Sequence, residues 1–377
     1  MPCCYNTVDA ASKGHVNCLK HLILNRCLWN VNATKIASEK GHLDILKYAF
    51  SQSYKFHPET CETAARFGNL NCLKFSHENM CNGLCNICFE AASSGHVECL
   101  QFAHKNLCLG FYDTLEVTVE YGHLDCLKYC HDNMCIWSER TYENAARYGH
   151  VEILKYLTEN YCPIYSWACA RAATYGHLEC LKYLNSIGWL FDIWCCAYAA
   201  REGHLDCLKY LHEIGCDWAE QTCSYAARYG HLDCLKYAHE NGCPWNEHTC
   251  TNAANFGKLD CLKYARENDC PWNVWSAIYA AMCGHLDCLK YICDKKCDLN
   301  ENVCSYASRY NRYDCLLYSY KIGCPCNEED KKKTLSKIKE IRKQVLTVLL
   351  ILNKTTLPMD IQKIIILNGV KYAKLIY

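Results

Sequence analysis

A glycine recurs every 27 residues along most of this chain of 377 residues. It occurs at Gly14, Gly41, Gly68, Gly95, Gly122, Gly149, Gly176, Gly203, Gly230, Gly257 and Gly284. A twelfth unit has Asn311 at the equivalent position. Twelve units without an insertion or deletion indicate that each is one supersecondary element stacked on its neighbours, because a changed length would disrupt the stacking. The spacing therefore predicts an elongated solenoid over residues 1–327 instead of one compact core.

The residues around each glycine have helical spacing. In the unit from Glu220 to Asn246, the apolar residues Leu232, Cys234 and Leu235 alternate with polar ones in a helical and not a strand-like pattern. All twelve units have leucine five residues after the glycine position, and eleven have an aromatic residue two positions later. We predict an all-α fold of twelve helix–turn–helix repeats, in which a glycine turn joins the two helices and a loop follows the second.

The periodic pattern ends after Asn327, where a charged stretch from Glu328 to Lys333 begins. Apolar residues then follow three and four positions apart from Leu335 to Leu352, which predicts an amphipathic helix. We expect this helix to cap the last repeat. The chain is therefore divided into repeats over residues 1–327 and a C-terminal helical segment over residues 328–377.

Charge and hydropathy exclude several classes of partner. The chain has 40 basic and 40 acidic side chains, and this zero net charge argues against binding to nucleic acid or to an anionic membrane. The apolar cluster from Val345 to Leu352 is shorter than the roughly 20 residues of a spanning helix, and the N-terminus has no apolar core of signal-peptide length. We expect a soluble, monomeric protein of the cytoplasm.

Cysteines occupy three periodic rows. Ten lie four residues after the glycine, ten lie thirteen after it and seven lie seven before it. Ile45 and Ile153 replace cysteine in the first row, which indicates a buried apolar position. Equivalent cysteines in neighbouring repeats are expected about 8–10 Å apart, beyond the roughly 7 Å Cα limit of a disulfide. We therefore predict reduced thiols that pack as small apolar side chains.

Histidine follows the glycine in most repeats, and seven repeats combine it with the cysteine three residues later, as in His231 and Cys234. The two vary independently, since Asn69 and Lys258 replace the histidine in repeats that keep the cysteine. Ligands of one zinc ion would not vary in this way, and closed zinc sites need four. The sequence favours a histidine bonded to nearby backbone, with no metal and no cofactor; a metal-binding or redox protein is the alternative. No phosphate-binding, nucleophile or metalloprotease motif occurs, so we predict no enzyme.

Positions that vary between repeats are candidates for partner binding, because solenoids bind through their free surface rows. The two residues before the glycine combine arginine with an aromatic residue in four repeats, and arginine and tyrosine dominate interface energies. Tryptophan occurs in three repeats nine residues before the glycine. The candidates are Arg66, Phe67, Arg147, Tyr148, Trp167, Trp194, Arg228, Tyr229, Trp275, Arg309 and Tyr310. The alternative is that these side chains only stack along the solenoid.

The stretch from Ala226 to Tyr237, AARYGHLDCLKY, resembles the A-A-R-x-G-H-L-E-V-V-K-L centre of ankyrin repeats. The match recurs over residues 1–327, without the T-P-L-H opening and the aspartate–glycine hairpin of that family. The short, cysteine-rich units ending in G-C-P-W are similar to ankyrin-repeat proteins of large DNA viruses that infect amoebae. This resemblance implies a non-catalytic scaffold that binds a protein, a host protein in the case of a virus, through the variable positions before the glycine.

The segment from Thr356 to Ile366 resembles the L-P-x-[DE]-I-x-x-x-I-[IL] opening of F-box-like segments at the C-termini of poxvirus ankyrin proteins. Such segments bind the Skp adaptor of cullin ubiquitin ligases. The resemblance implies a substrate receptor whose adaptor-binding candidates are Leu357, Pro358, Ile361 and Ile365. A helix that only caps the repeats is the alternative.

Overall fold

The computed structural model of the chain describes residues 4–80, 86–108, 110–163 and 167–352. The regular structure of these residues consists of 25 helices, so the predicted all-α solenoid of helix–turn–helix repeats is confirmed for this part of the chain. None of these helices is long and apolar enough to cross a membrane. The chain divides into unit 1, residues 1–172 and 179–188, and unit 2, residues 173–178 and 189–377.

Unit 1 is a stack of helix pairs. In chain order its helices are α1 (Thr7–Lys13), α2 (Val16–Leu24), α3 (Asn32–Lys40), α4 (Leu43–Ser51), α5 (Thr60–Arg66), α6 (Leu70–Met80), α7 (Ile87–Ser93), α8 (Val97–Lys105), α9 (Thr114–Tyr121), α10 (Leu124–Asp132), α11 (Thr141–Tyr148) and α12 (Val151–Glu159). The boundary between the units runs through α13 (Ala168–Tyr175) and the start of α14 (Leu178–Ser186). Odd-numbered first helices pack on one another from α1 to α11, and even-numbered second helices do so from α2 to α10.

Unit 2 repeats this arrangement. Its helices are α15 (Ile193–Glu202), α16 (Leu205–Glu213), α17 (Thr222–Tyr229), α18 (Leu232–Glu240), α19 (Glu247–Asn255), α20 (Leu259–Glu267), α21 (Val274–Cys283), α22 (Leu286–Asp294), α23 (Glu301–Arg309), α24 (Tyr313–Lys321) and α25 (Glu328–Leu352). First helices pack in sequence from α15 to α23, and second helices from α16 to α24. The last helix, α25, packs on both α23 and α24.

A residue with positive φ follows each first helix, either directly or after one further residue. Gly230 has φ +86°, and the N–H of His231 donates to the carbonyl of Ala226 at 2.9 Å. This ending requires the left-handed conformation, which glycine adopts without steric cost. Asn311 adopts the same conformation with φ +58°, as asparagine tolerates it better than most residues. The replacement of glycine in the twelfth repeat therefore preserves the turn.

The residue after each glycine links consecutive repeats. His123 donates from Nε2 to the carbonyl of Ser93, thirty residues earlier in the preceding first helix, at 3.0 Å. Equivalent bonds, 3.0–3.2 Å long, are made by His42, His150 and His204. The ring of His123 lies against Gly95, where an added Cβ would be 2.5 Å from Nδ1. Glycine is therefore required for this close approach as well as for the turn.

Two of the three side chains that replace this histidine make the same connection. Asn69 donates from Nδ2 to the carbonyl of Ser38 at 2.7 Å, and Arg312 donates from Nε to the carbonyl of Met282 at 3.2 Å. Because histidine, asparagine and arginine all supply an N–H donor, the position conserves a hydrogen bond and not a residue type. The prediction of a histidine bonded to nearby backbone is thus confirmed for these repeats.

The core of each repeat lies around the leucine anchor. The leucine five residues after the glycine position is fully buried in all twelve repeats, from Leu19 to Leu316. The neighbouring cysteine row is buried as well, apart from Cys18, which is half-buried. Burial raises the pKa of Cys234 to about 12 and that of Cys207 to about 11. These thiols are protonated at neutral pH and pack as apolar side chains, as predicted.

The prediction that the cysteine rows are reduced is wrong for two of the seven cysteines in the row seven residues before the glycine, while the other five are free thiols. Cys304 forms a disulfide with Cys326, with an S–S distance of 2.07 Å and a Cα–Cα distance of 5.6 Å, and Cys61 is disulfide-bonded too. The sequence argument compared equivalent cysteines of neighbouring repeats. Cys304 instead bonds a cysteine in the loop at the end of its own repeat, which returns to within disulfide range of the first helix.

Aromatic side chains form packed clusters at the loops that follow the second helices. In unit 2 the indole of Trp245 stacks on His239 with ring centroids 3.6 Å apart, and Tyr264 of the next repeat meets both rings edge-on. Trp218 makes the same contacts one repeat earlier and donates from Nε1 to the carbonyl of Asn241 at 3.0 Å. The G-C-P-W ending is therefore a packing element between consecutive second helices.

The C-terminal helix α25 begins in the frame of a first helix. Asn327 accepts a hydrogen bond from the backbone N–H of Asp330 at 2.8 Å, as Asn273 and Asn300 do at the starts of α21 and α23. Thr334, 27 residues after Ala307, is fully buried like that alanine. The first two turns of α25 thus occupy the place of a further first helix, although the sequence pattern ends at Asn327.

Leu235→Ala is expected to lower the free energy of unfolding by about 2–5 kcal/mol, because it empties a fully buried anchor position. The measurement is urea denaturation followed by circular dichroism. Leu190→Ala is the matched control, since Leu190 is 90% exposed and its loss should change stability by less than about 0.5 kcal/mol. Equal stability of the two variants would refute the anchor assignment.

Acidification is expected to weaken the links between repeats. Burial lowers the pKa of His231 and His285 below the ordinary value of 6.5, so below that pH the unfolded chain binds more protons than the folded one. The free energy of unfolding should therefore fall between about pH 7 and about pH 5. The double variant His231→Asn/His285→Asn keeps two donors but cannot titrate, and its urea denaturation should depend less on pH. An unchanged dependence would contradict this account.

Candidate functional site

The first helices of unit 2 present one continuous surface. Residues nine, five, two and one positions before the glycine lie on one face of each first helix. Their spacings of three or four and of seven or eight residues correspond to one and two helical turns. We call this surface the first-helix face. Its members include Trp194, Tyr198, Arg201, Gln221, Tyr225, Arg228, Tyr229, His248, Asn252, Phe256, Trp275, Tyr279, Tyr306, Arg309 and Tyr310, all of them half-buried or exposed.

The centre of this face is a stack of arginine and aromatic side chains from three repeats. The guanidinium of Arg228 lies 4.5 Å from the ring centroid of Phe256 and 5.5 Å from that of Tyr229. The guanidinium of Arg201, from the preceding repeat, lies 5.4 Å from the ring centroid of Tyr229. The rings of Tyr229 and Phe256 stack with centroids 6.4 Å apart. We call these four residues the arginine–aromatic stack.

The stacking of the variable arginine and tyrosine side chains is observed within unit 2, and their role in partner binding stays a prediction. The side chains stack along the repeats, and they also keep part of their surface exposed. Cation–π contacts at such sites contribute about 0.5–1 kcal/mol each, so they hold the side chains in place without burying them. A preordered guanidinium and ring lose less entropy on binding than free side chains do.

Aromatic pairs extend the face along single helices. Trp194 stacks on Tyr198 at 6.0 Å, and Trp275 lies 5.7 Å from Tyr279. Trp275 is 45% exposed and Tyr310, at the end of α23, is 49% exposed. The tyrosine row five positions before the glycine was not among the predicted candidates. Its spacing of four residues from the tryptophan row was the signal that could have identified it.

In unit 1 the candidate residues are placed differently. Arg66 forms a two-bond ion pair with Glu90 of the next repeat, Nε to Oε2 at 2.7 Å and Nη2 to Oε1 at 2.8 Å, while the adjacent Phe67 stays 47% exposed. Arg147 lies over Tyr148 at 5.3 Å, and Trp167 is 49% exposed. Each candidate of unit 1 is thus accessible in part, but Arg66 already has a carboxylate partner.

A cavity of about 810 Å³ opens in unit 2 beside the second helices α22 and α24. Its lining includes Asp287, Lys290, Asp314 and Lys321, so it carries charges of both signs. Burial raises the pKa of Cys288 in the same lining to about 12, which keeps this thiol protonated and unreactive at neutral pH. The described lining therefore suits polar contacts with a bound chain better than covalent chemistry.

Comparison with known proteins agrees with the fold. Residues 223–330 match the family model described as ankyrin repeats (3 copies), and residues 193–239 match the one described as ankyrin repeats (many copies). Solved structures that match include the ankyrin repeat domain of human ASB11, at 22% identity and a TM-score of 0.36, over 41% of this chain and 83% of that one. No curated protein matches the sequence significantly. Residues 193–330 of this chain are therefore similar to ankyrin repeats.

Proposed function

We propose that this chain is a non-catalytic scaffold that binds a protein partner through the first-helix face of unit 2. The observation that carries the proposal is the arginine–aromatic stack, which is ordered by its own contacts and yet partly exposed. Buried positions have the same residue type in most repeats, whereas the residues of this face differ from repeat to repeat. Solenoids bind partners through such variable surface rows.

The chemistry of the face indicates what a partner must supply. Aromatic and arginine side chains are the residues that most often dominate binding energy at protein interfaces. Arg201 already forms an ion pair with Glu202. The guanidinium of Arg228, held over an aromatic ring, keeps N–H donors at its edge that can bind a carboxylate in a two-bond geometry. Trp275 and Tyr310 offer apolar area beside it. The partner that fits best presents an apolar anchor next to an acidic side chain.

The similarity of the short, cysteine-rich units to ankyrin-repeat proteins of viruses that infect amoebae suggests where to search. We propose that the partner is an amoebal host protein and that binding occurs in the host cytoplasm. An amoebal lysate is therefore the first source of candidate partners. The buried, protonated thiols of the row four residues after the glycine argue against a redox function of that row.

Trp275→Ala/Tyr310→Ala is expected to weaken partner binding at least thirtyfold, which corresponds to about 2 kcal/mol and is typical of interface hot spots. Both side chains are largely exposed, so the fold should persist. The measurement is quantitative mass spectrometry of proteins retained from an amoebal lysate, followed by titration of the purified partner. Leu190→Ala removes an apolar side chain that is 90% exposed outside the face and is the matched control. Equal retention by all three chains would exclude the first-helix face as the binding surface.

A second candidate function is that of a substrate receptor in a cullin-type ubiquitin ligase. The candidates Leu357, Pro358, Ile361 and Ile365 lie outside the described residues, so the support is their match to F-box-like segments. The packing of α25 on α23 and α24, with Asp330 and Thr334 buried, covers the last repeat. The candidate segment follows this helix in the sequence.

A chain that ends at Leu352 is expected to lose a Skp-type adaptor and cullin while it keeps the other partners. This truncation leaves the described part of α25 on the last repeat, which a cut at Asn327 would not do. The measurement is the same lysate experiment with the full and the shortened chain. Leu357→Ala/Ile361→Ala in the full chain is the second variant and should behave like the truncation. A full chain that retains neither adaptor nor cullin would rule out the receptor function.

A further inference from the structure

Three soft ligand side chains meet in the first repeat. Cys4 lies just before α1, His15 precedes α2, and Cys18 is in the first turn of α2. The two Sγ atoms and an imidazole nitrogen lie within 4.8 Å of one another, and Cys4 Sγ is 3.6 Å from His15 Nδ1. Among the cysteine, histidine and carboxylate side chains of the described residues, these three form the group whose ligand atoms are close enough to hold one ion.

The spacing of these atoms suits zinc. Zinc binds thiolate at about 2.3 Å and imidazole at about 2.0–2.1 Å with tetrahedral angles, which places two such ligands roughly 3.6 Å apart. The observed distance from Cys4 to His15 is the same. Cysteine and histidine are the ligand types that zinc prefers, and harder ions such as calcium and magnesium require oxygen.

The cluster differs from the histidine and cysteine pairs of the other repeats. His123 donates to a carbonyl of the preceding first helix, whereas the ring of His15 lies against the thiol of Cys4. Cys18 is half-buried, while its equivalent Cys207 is buried and has a raised pKa. The position of Cys4 is outside the cysteine rows, and Glu220 stands there in the ninth repeat. A constellation that breaks the repeat pattern is a stronger indication of a site than one that repeats with the scaffold.

We propose that Cys4, His15 and Cys18 bind a zinc ion. The two thiols lose their protons on binding, and the thiolates together with the neutral imidazole balance the charge of the ion. Three protein ligands leave the fourth tetrahedral position for water or another donor. The ion connects the segment before α1 to the start of α2, and binding to the folded state alone stabilises the first repeat by mass action. Neither the scaffold function nor its partner enters this proposal.

The test is zinc binding by the full chain, purified metal-free under reducing conditions and titrated in competition with a chromophoric chelator. Wild type is expected to bind one equivalent more than Cys4→Ala and Cys18→Ala. Cys207→Ala, at the position equivalent to Cys18 in the eighth repeat, is the matched control and should bind like wild type. Zinc should also raise the midpoint of thermal unfolding of wild type and of the control, but not of the two ligand variants. The same stoichiometry in all four chains would overturn the proposal.

X-ray absorption at the zinc edge tests the site without a substitution. The expected first shell combines sulfur at about 2.3 Å with nitrogen at about 2.0–2.1 Å. A shell of nitrogen and oxygen alone would show an adventitious surface ion and would overturn the assignment even if the stoichiometry were one. Because the spectrum is recorded on the wild-type chain, the result does not depend on whether the cysteine variants fold.

Discussion

One hydrogen bond between consecutive repeats organises each unit of this chain. The residue after the glycine reaches back thirty positions to a carbonyl of the preceding first helix, and its side chain lies where a Cβ at the preceding glycine would be. This arrangement explains the strict period, since one inserted residue would move the donor away from its acceptor. It also explains why Asn69 and Arg312 can replace histidine while the glycine tolerates almost no replacement.

With the scaffold held by buried leucines, cysteines and these links, the outward positions of the first helices are free to vary. The arginine–aromatic stack uses that freedom, because it draws Arg201 and Arg228 from two repeats and Phe256 from a third. The tryptophans after the second helices are different. Trp218 and Trp245 pack on histidine and tyrosine side chains between consecutive second helices, although they are aromatic residues like those of the first-helix face. Trp218 and Trp245 are half-buried like Trp194, so their packing between consecutive second helices, and neither exposure nor residue type, separates them from the binding candidates.

The cysteines show how one residue type takes several roles. Those four positions after the glycine are apolar filling, with thiol pKa values that burial raises. Cys304 and Cys326 are joined by a disulfide, because the loop after a second helix returns to the first helix of the same repeat. Cys4 and Cys18 lie beside His15 in a geometry that suits a metal ion. Composition alone, with 35 cysteines, could not distinguish these roles.

The sequence by itself determined the number of repeats, the two helices in each, the glycine turn and the leucine anchor, because these depend on local helical periodicity and on burial that recurs every 27 residues. It could not predict contacts between residues far apart in the chain. The pairing of Cys304 with Cys326 and the approach of Cys4 to His15 each require knowing how neighbouring elements are oriented. The repeat pattern has alanine where α25 has the buried Thr334, so the sequence pattern did not predict that α25 starts at the position of a first helix. The packing of α25 on α23 and α24 decides that position. Periodicity is encoded locally, whereas the distance between two side chains of different elements is decided only when the repeats stack.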